Sequence, residues 1–203
     1  MKKDLDKTRV EEALKLLGEL IESRRIGPFS LIVCGGTALL VSGLRAEATK
    51  DVDILAYMGK KGEIMAADTI PEDLQKAAWG VSAQMGLDPH WLNAGPSSIV
   101  NPKLPNLGLP DGFISRLSEK SYGRMLKVFF IGRLDQIYFK LYASVDRGGP
   151  TYHLDDLMRL NPTHEELLDA SRWSMSQDPS PSYLQTLIQM LKAINHGTVA
   201  EKL

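Results

Sequence analysis

Apolar positions along the chain follow two periods. Val10, Ala13, Leu14, Leu17, Leu20 and Ile21 recur at helical spacing, with Thr8 and Glu11 in a capping-box pattern and Gly27-Pro28 as the stop. "SLIVC" is short, apolar and partly β-branched, and it halts at Gly35-Gly36, which predicts a buried strand. "TALLVSGL" predicts a short helix and "VDILAYM" a second strand. Across residues 71–85, Leu74, Ala77, Ala78, Val81 and Met85 share one helical face. "DPHWLNA" predicts a third strand, "MLKVFFI" a fourth, and "LDQIYFKLYASV" a helix that begins near Gly132.

Turn residues divide the rest. Residues 95–110 are rich in Pro, Asn, Gly and Ser, a loop long enough to suggest function or mobility. Gly148-Gly149-Pro150 breaks the chain, and "YHLDDLMRL", "HEELLDASRWSM" and "SYLQTLIQMLKAI" then predict a run of helices. The expected fold class is therefore α/β (α+β): a mixed sheet flanked by helices, with a C-terminal helical portion. The expected domains are residues 1–147, including the N-terminal helix, and residues 148–203 packed on that core.

Composition narrows the class. The chain has 203 residues, 43% of them hydrophobic, which is ample for a packed core. Lys and Arg total 24 against 25 for Asp and Glu, which argues against a general nucleic-acid coat. Cys34 is the one cysteine, so no intramolecular disulfide framework is expected. No apolar run reaches ~18 residues, and the lysines of "MKKDLDKTRVEE" precede no apolar signal core. These features predict a soluble cytoplasmic protein with no membrane association.

The chemistry lies in "VCGGTALLVSGLRAEATKDVDILA". Side chains alternate along a strand, so Asp51 and Asp53 project to one side, roughly 7 Å apart, while Val52 and Ile54 face a core. Two carboxylates on one face repel each other unless a cation sits between them, and carboxylate oxygens suit Mg²⁺ or Mn²⁺. Gly35 and Gly36 have no side chains, so a phosphate can approach their backbone, and Thr37 adds a hydroxyl donor. The turn lacks both a Walker A lysine and a G-x-G-x-x-G pattern. Phosphates held by Gly-Gly and a metal held by Asp-x-Asp fit nucleotidyl transfer from an NTP.

"GGTALLVSGLRAEATKDVDIL" resembles the signature of the polymerase-β-like nucleotidyltransferase superfamily: Gly-Gly/Ser, a spacer, then Asp-x-Asp. The run Arg45…Thr49-Lys50-Asp51-Val52-Asp53 is most similar to the AbiEii-type branch of abortive-infection and toxin nucleotidyltransferases. Downstream, "LDQIYFKLYASVDRGGPTYHLDDLMRL" resembles that branch's Lys-Leu-x-Ala…Arg…Asp-x-x-Asp-Leu block, and the two blocks cover about a quarter of the chain. The resemblance implies a nucleotidyltransferase-like sheet and NMP transfer to an acceptor hydroxyl. It also implies RNA, tRNA especially, as the acceptor, and a cognate antitoxin protein as the partner. It makes Lys140 the neutralising cation at the triphosphate and Asp156 its partner or a co-ligand. The superfamily's third metal-binding carboxylate falls best on Asp88, ahead of "PHWLN". A catalytically inactive nucleotide-binding or regulatory member is the alternative. An antibiotic-modifying enzyme is a further one, and would need an acidic pocket from Glu63, Asp68, Glu72 and Asp73.

Plainer roles are expected elsewhere. Cys34 should be a buried small hydrophobe, His90 a packed strand residue, and Trp79, Trp91 and Trp173 core. Residues 113–147 hold seven basic and three acidic side chains, mostly a solvated surface that could also meet triphosphate or RNA phosphates.

Overall fold

The structure, a computed structural model, describes residues 4–148 and 151–203. It divides into two compact units, Met1–Gly132 and Arg133–Leu203. The division falls ahead of "LDQIYFKLYASV", so that helix belongs with the C-terminal unit rather than the sheet. Gly149 and Pro150, read as the chain break, lie outside the described residues.

The N-terminal unit begins with α1 (Lys7–Ser23), whose buried face is Val10, Ala13, Leu14, Leu17, Gly18 and Ile21. Each aliphatic side chain fully buried there contributes roughly 1.5–3 kcal/mol. The N-cap is Asp6, whose carboxylate accepts from the Arg9 N–H at 2.9 Å, so the Thr8–Glu11 box is not formed. An aspartate two residues earlier starts the helix and caps the Arg9 amide instead. β1 (Phe29–Cys34), α2 (Gly35–Val41) and β2 (Val52–Met58) follow as the apolar runs predict. β3 (Ile64–Ala66) returns against β2, and α3 (Glu72–Met85) packs on α1.

The expected strand at "DPHWLNA" shrinks to β4 (Leu92–Asn93). Asp88 starts a turn instead: its Oδ1 accepts from the His90 N–H at 2.9 Å, Pro89 removes a ladder donor, and His90 is exposed rather than packed. Two short 3-10 turns, Gly95–Ile99 and Pro105–Gly108, occupy the long loop, and a third, Phe113–Arg116, follows it. β5 (Ser118–Ser121) and β6 (Leu126–Phe130) complete a six-stranded mixed sheet ordered β3-β2-β1-β6-β5, with β4 on the edge of β2. β1 runs parallel to β6 and antiparallel to β2.

The C-terminal unit is helical: α4 (Arg133–Asp146), α5 (Tyr152–Arg159), α6 (His164–Gln177), α7 (Pro181–Ala193) and α8 (Gly197–Ala200). Trp173 of α6 packs on Tyr138, Phe139 and Tyr142 of α4, with ring centroids 5.5–6.0 Å apart. Arg133 caps α5, donating to the Leu160 and Asn161 carbonyls while it pairs with Glu166 at 2.6 Å. Among the described residues, no helix is long and apolar enough to cross a membrane. The mixed α/β sheet followed by helices matches the class expected from sequence.

Of the three tryptophans, Trp91 is fully buried, its indole N–H donating to the Ala78 carbonyl at 2.9 Å. Trp173 is half-buried in the α4–α6 seam. Trp79 is not core: it is 47% exposed on the outer face of α3.

Candidate functional site

The Asp-x-Asp and the Gly-Gly turn meet at one end of the sheet. Asp53 of β2 lies opposite Cys34, the last residue of β1, and the next two residues are the glycines. The β1–β2 register slips between Ile32 and Val33, leaving Leu55 as an extra residue on β2. A bulge of this kind re-aims the side chains beyond it. Val52 and Ile54 are fully buried and Asp51 and Asp53 half-buried, as strand alternation requires. Cys34 is buried at the same place, a small hydrophobe as expected.

Three consecutive residues of the turn are stitched to residues 49–53, the segment that leads into β2. Gly35 adopts φ +69°, a left-handed conformation, and a Cβ on it would overlap the Asp53 carboxylate. A Cβ on Gly36 would lie 2.6 Å from the Thr49 hydroxyl and 3.4 Å from a guanidinium nitrogen of Arg45. Thr37 is fully buried and its hydroxyl donates to the Asp51 carbonyl at 2.7 Å.

This arrangement corrects the sequence argument for the glycines. The space their missing side chains leave is filled by Asp53 and Thr49 of the same chain, and not held open for a ligand. The Thr37 hydroxyl likewise serves the strand. What the turn can present outward is backbone.

The segment behind the aspartates is anchored too. Thr49 exchanges two backbone hydrogen bonds with Leu5, at 2.7 and 2.8 Å, and Leu5 is fully buried. Thr49, Arg45 and Leu5 were not singled out as site residues from sequence. Only the position of Thr49 and Arg45 inside the quoted run could have pointed to them.

Asp88 does not complete a metal set. Among the described residues, no group of three or more His, Cys, Asp or Glu could hold a metal ion. The residue that pairs with Asp53 across the parallel β2–β4 contact is Asn93, a neutral amide whose Oδ1 accepts from the Gly95 N–H at 2.9 Å. Glu63, Asp68, Glu72 and Asp73 are all exposed; Glu72 pairs with Lys76 at 2.6 Å, and its carboxyl is held below the usual range by that bond.

In the C-terminal unit, Lys140 and Asp156 form a buried ion pair, Nζ to Oδ2 2.7 Å, with side chains 6% and 3% exposed. Asp156 is the partner expected for Lys140. Neither is turned to open solvent. Beside them lie Tyr152, whose ring centroid is 5.9 Å from the Lys140 ammonium, and His153, stacked on Tyr152 at 4.0 Å. Burial, then the nearby charges of Lys140 and Arg147, push the His153 imidazole down to about 4, so it is neutral at pH 7.

Four of the seven basic residues of 113–147 have an acidic partner, and of these four only Lys140 is buried. Lys120 pairs with Glu11, Lys127 with Glu119, Arg133 with Glu166 and Lys140 with Asp156, while Arg116 donates to the Asp111 carbonyl. No family model, curated protein or solved structure matches the chain at a significant level.

Proposed function

We propose that the N-terminal unit carries a cation-dependent nucleotidyltransferase site. The acceptor hydroxyl oxygen bonds to the α-phosphorus of an NTP and loses its proton. The bond to the β-phosphate oxygen breaks, and pyrophosphate leaves. The observation that supports this is the stitching of Gly35, Gly36 and Thr37 to residues 49–53, which makes the turn backbone and the two carboxylates one piece. Positioning of that kind is most of what phosphoryl chemistry asks of a protein.

The donor set fits a hard divalent cation, since Asp51, just ahead of β2, and Asp53 within it are both half-buried carboxylates. When bound, Mg²⁺ or Mn²⁺ supplies charge stabilisation to the transferring phosphoryl oxygens. Asp51 and Asp53 hold it, the Gly35-Gly36 backbone orients phosphate, and Thr37 fixes the Asp51 backbone through its hydroxyl. The resemblance of the quoted run supports RNA, tRNA especially, as acceptor and a cognate antitoxin as partner, and the composition supports a cytoplasmic setting.

A non-catalytic nucleotide-binding role is favoured by one observation: the neighbour of Asp53 on β4 is Asn93 and not a third carboxylate. Thermal unfolding with Mg²⁺ and NTP tests binding under either role. At ~100 times the dissociation constant, ligand should stabilise the wild type by about 2.7 kcal/mol. Asp53→Asn should unfold at the ligand-free temperature. Equal shifts in the two proteins would remove the aspartates from the site.

A further inference from the structure

A cavity of about 530 Å³ lies in the N-terminal unit, away from the aspartates. One of its walls is Ile64, which pairs with Met58 at the far end of β2. Five residues separate Asp53 from Met58, roughly 17 Å along the strand. The rest of the lining comes from the loop between Asn106 and Ser115.

The loop is built around this space. Its floor is Leu109, Pro110 and Phe113, all buried. Leu107 and Ile114 also line it, and Ile114 is 53% exposed. Asn106 and Leu107 adopt φ +51° and +59°, two successive left-handed residues that are not glycine. Such a conformation costs roughly 1–2 kcal/mol per residue, and strain of this kind concentrates at ligand clamps. Here it places Leu107 on the cavity wall.

The rim has a definite polarity. The Ser115 hydroxyl donates to the Gly112 carbonyl at 2.7 Å, which leaves its oxygen as an acceptor. The Asp111 carboxylate accepts from the Asn106 amide at 2.7 Å and keeps acceptor capacity. Arg116 donates to the Asp111 backbone carbonyl at 2.7 Å, so a positive charge stands beside the negative one. Apolar walls, exposed acceptors among the lining residues and cancelling charges select a neutral, mainly apolar molecule with one hydrogen-bond donor.

We propose that this cup binds such a molecule, as a site separate from the nucleotide site and independent of it. An anionic relative should bind less tightly, because its charge would lose hydration against the apolar walls.

Two fluorescent probes with the same aromatic body read this directly. N-phenyl-1-naphthylamine is neutral with one N–H, and 8-anilinonaphthalene-1-sulfonate adds a negative charge. The neutral probe should bind one per chain, with enhanced emission, and at least tenfold more tightly than the sulfonate. Ile114→Asp alters an exposed side chain, so the fold is retained, as circular dichroism would verify. It should weaken the neutral probe at least tenfold. No enhancement with the neutral probe, an equal or stronger response to the sulfonate, or binding unchanged in Ile114→Asp would overturn the assignment.

Discussion

The Thr37 hydroxyl donates to the backbone carbonyl of Asp51 at 2.7 Å, tying the first turn of α2 to the residue that opens the Asp-x-Asp. Thr37→Val keeps the side-chain shape and removes the donor. The part-buried carbonyl then lacks this partner, and unfolding in urea should show a loss of about 1 kcal/mol. Affinity for Mn²⁺ with NTP should fall as well. Unchanged stability would mean the bond does not brace the strand.

Gly36 and Thr49 should be coupled. Gly36→Ala drives a methyl against the Thr49 hydroxyl, and overpacking of that kind typically costs roughly 1–3 kcal/mol. Thr49→Ala removes the oxygen it meets, so the double variant should recover part of the loss. Strict additivity in a double-mutant cycle would show that the contact is absent.

Lys140 is expected to act first on stability. Lys140→Ala leaves the Asp156 carboxylate buried without its cation, a loss of roughly 3–5 kcal/mol. Lys140→Met combined with Asp156→Leu removes both charges and should unfold close to the wild-type denaturant concentration. If Lys140→Ala is as stable as the wild type, the pair is not held in the protein interior.

His153 gives a pH signature. Its folded pKa is about 4 against 6.5 for the unfolded chain, so the unfolded state binds more protons between these values. Its contribution is present above pH 6.5 and is lost as pH falls toward 4. The half-exposed ring limits the effect to on the order of 1 kcal/mol. Between pH 7 and 4.5, His153→Gln should lose less stability than the wild type in urea titrations. Parallel losses would remove His153 as the cause.

Much of this fold is legible in the chain because α1, β1, β2, α3, β6 and α4 are long or strongly apolar and carry their period openly. β3 and β5 are not. "SEKS" is exposed at all four positions, and it becomes a strand only because β6 offers it a ladder. β4 was overread, since Trp91 and Leu92 look like strand residues while Asp88 and Pro89 build a turn. The alternation of half-buried and buried positions from Asp51 to Ile54 followed from the strand period alone. The reason for the glycines did not, because the contacts with Asp53 and Thr49 depend on a bulge and a loop that no local pattern announces.

The central claim is transfer of a nucleoside monophosphate by the site that Asp51 and Asp53 define. The most direct measurement incubates the full chain with Mg²⁺, total RNA and each NTP, labelled at either the α- or the γ-phosphate. Label should pass to RNA from the α-position only, with pyrophosphate released, and Asp53→Asn should abolish it. Transfer from the γ-position, or α-label transfer that survives Asp53→Asn, would contradict the account.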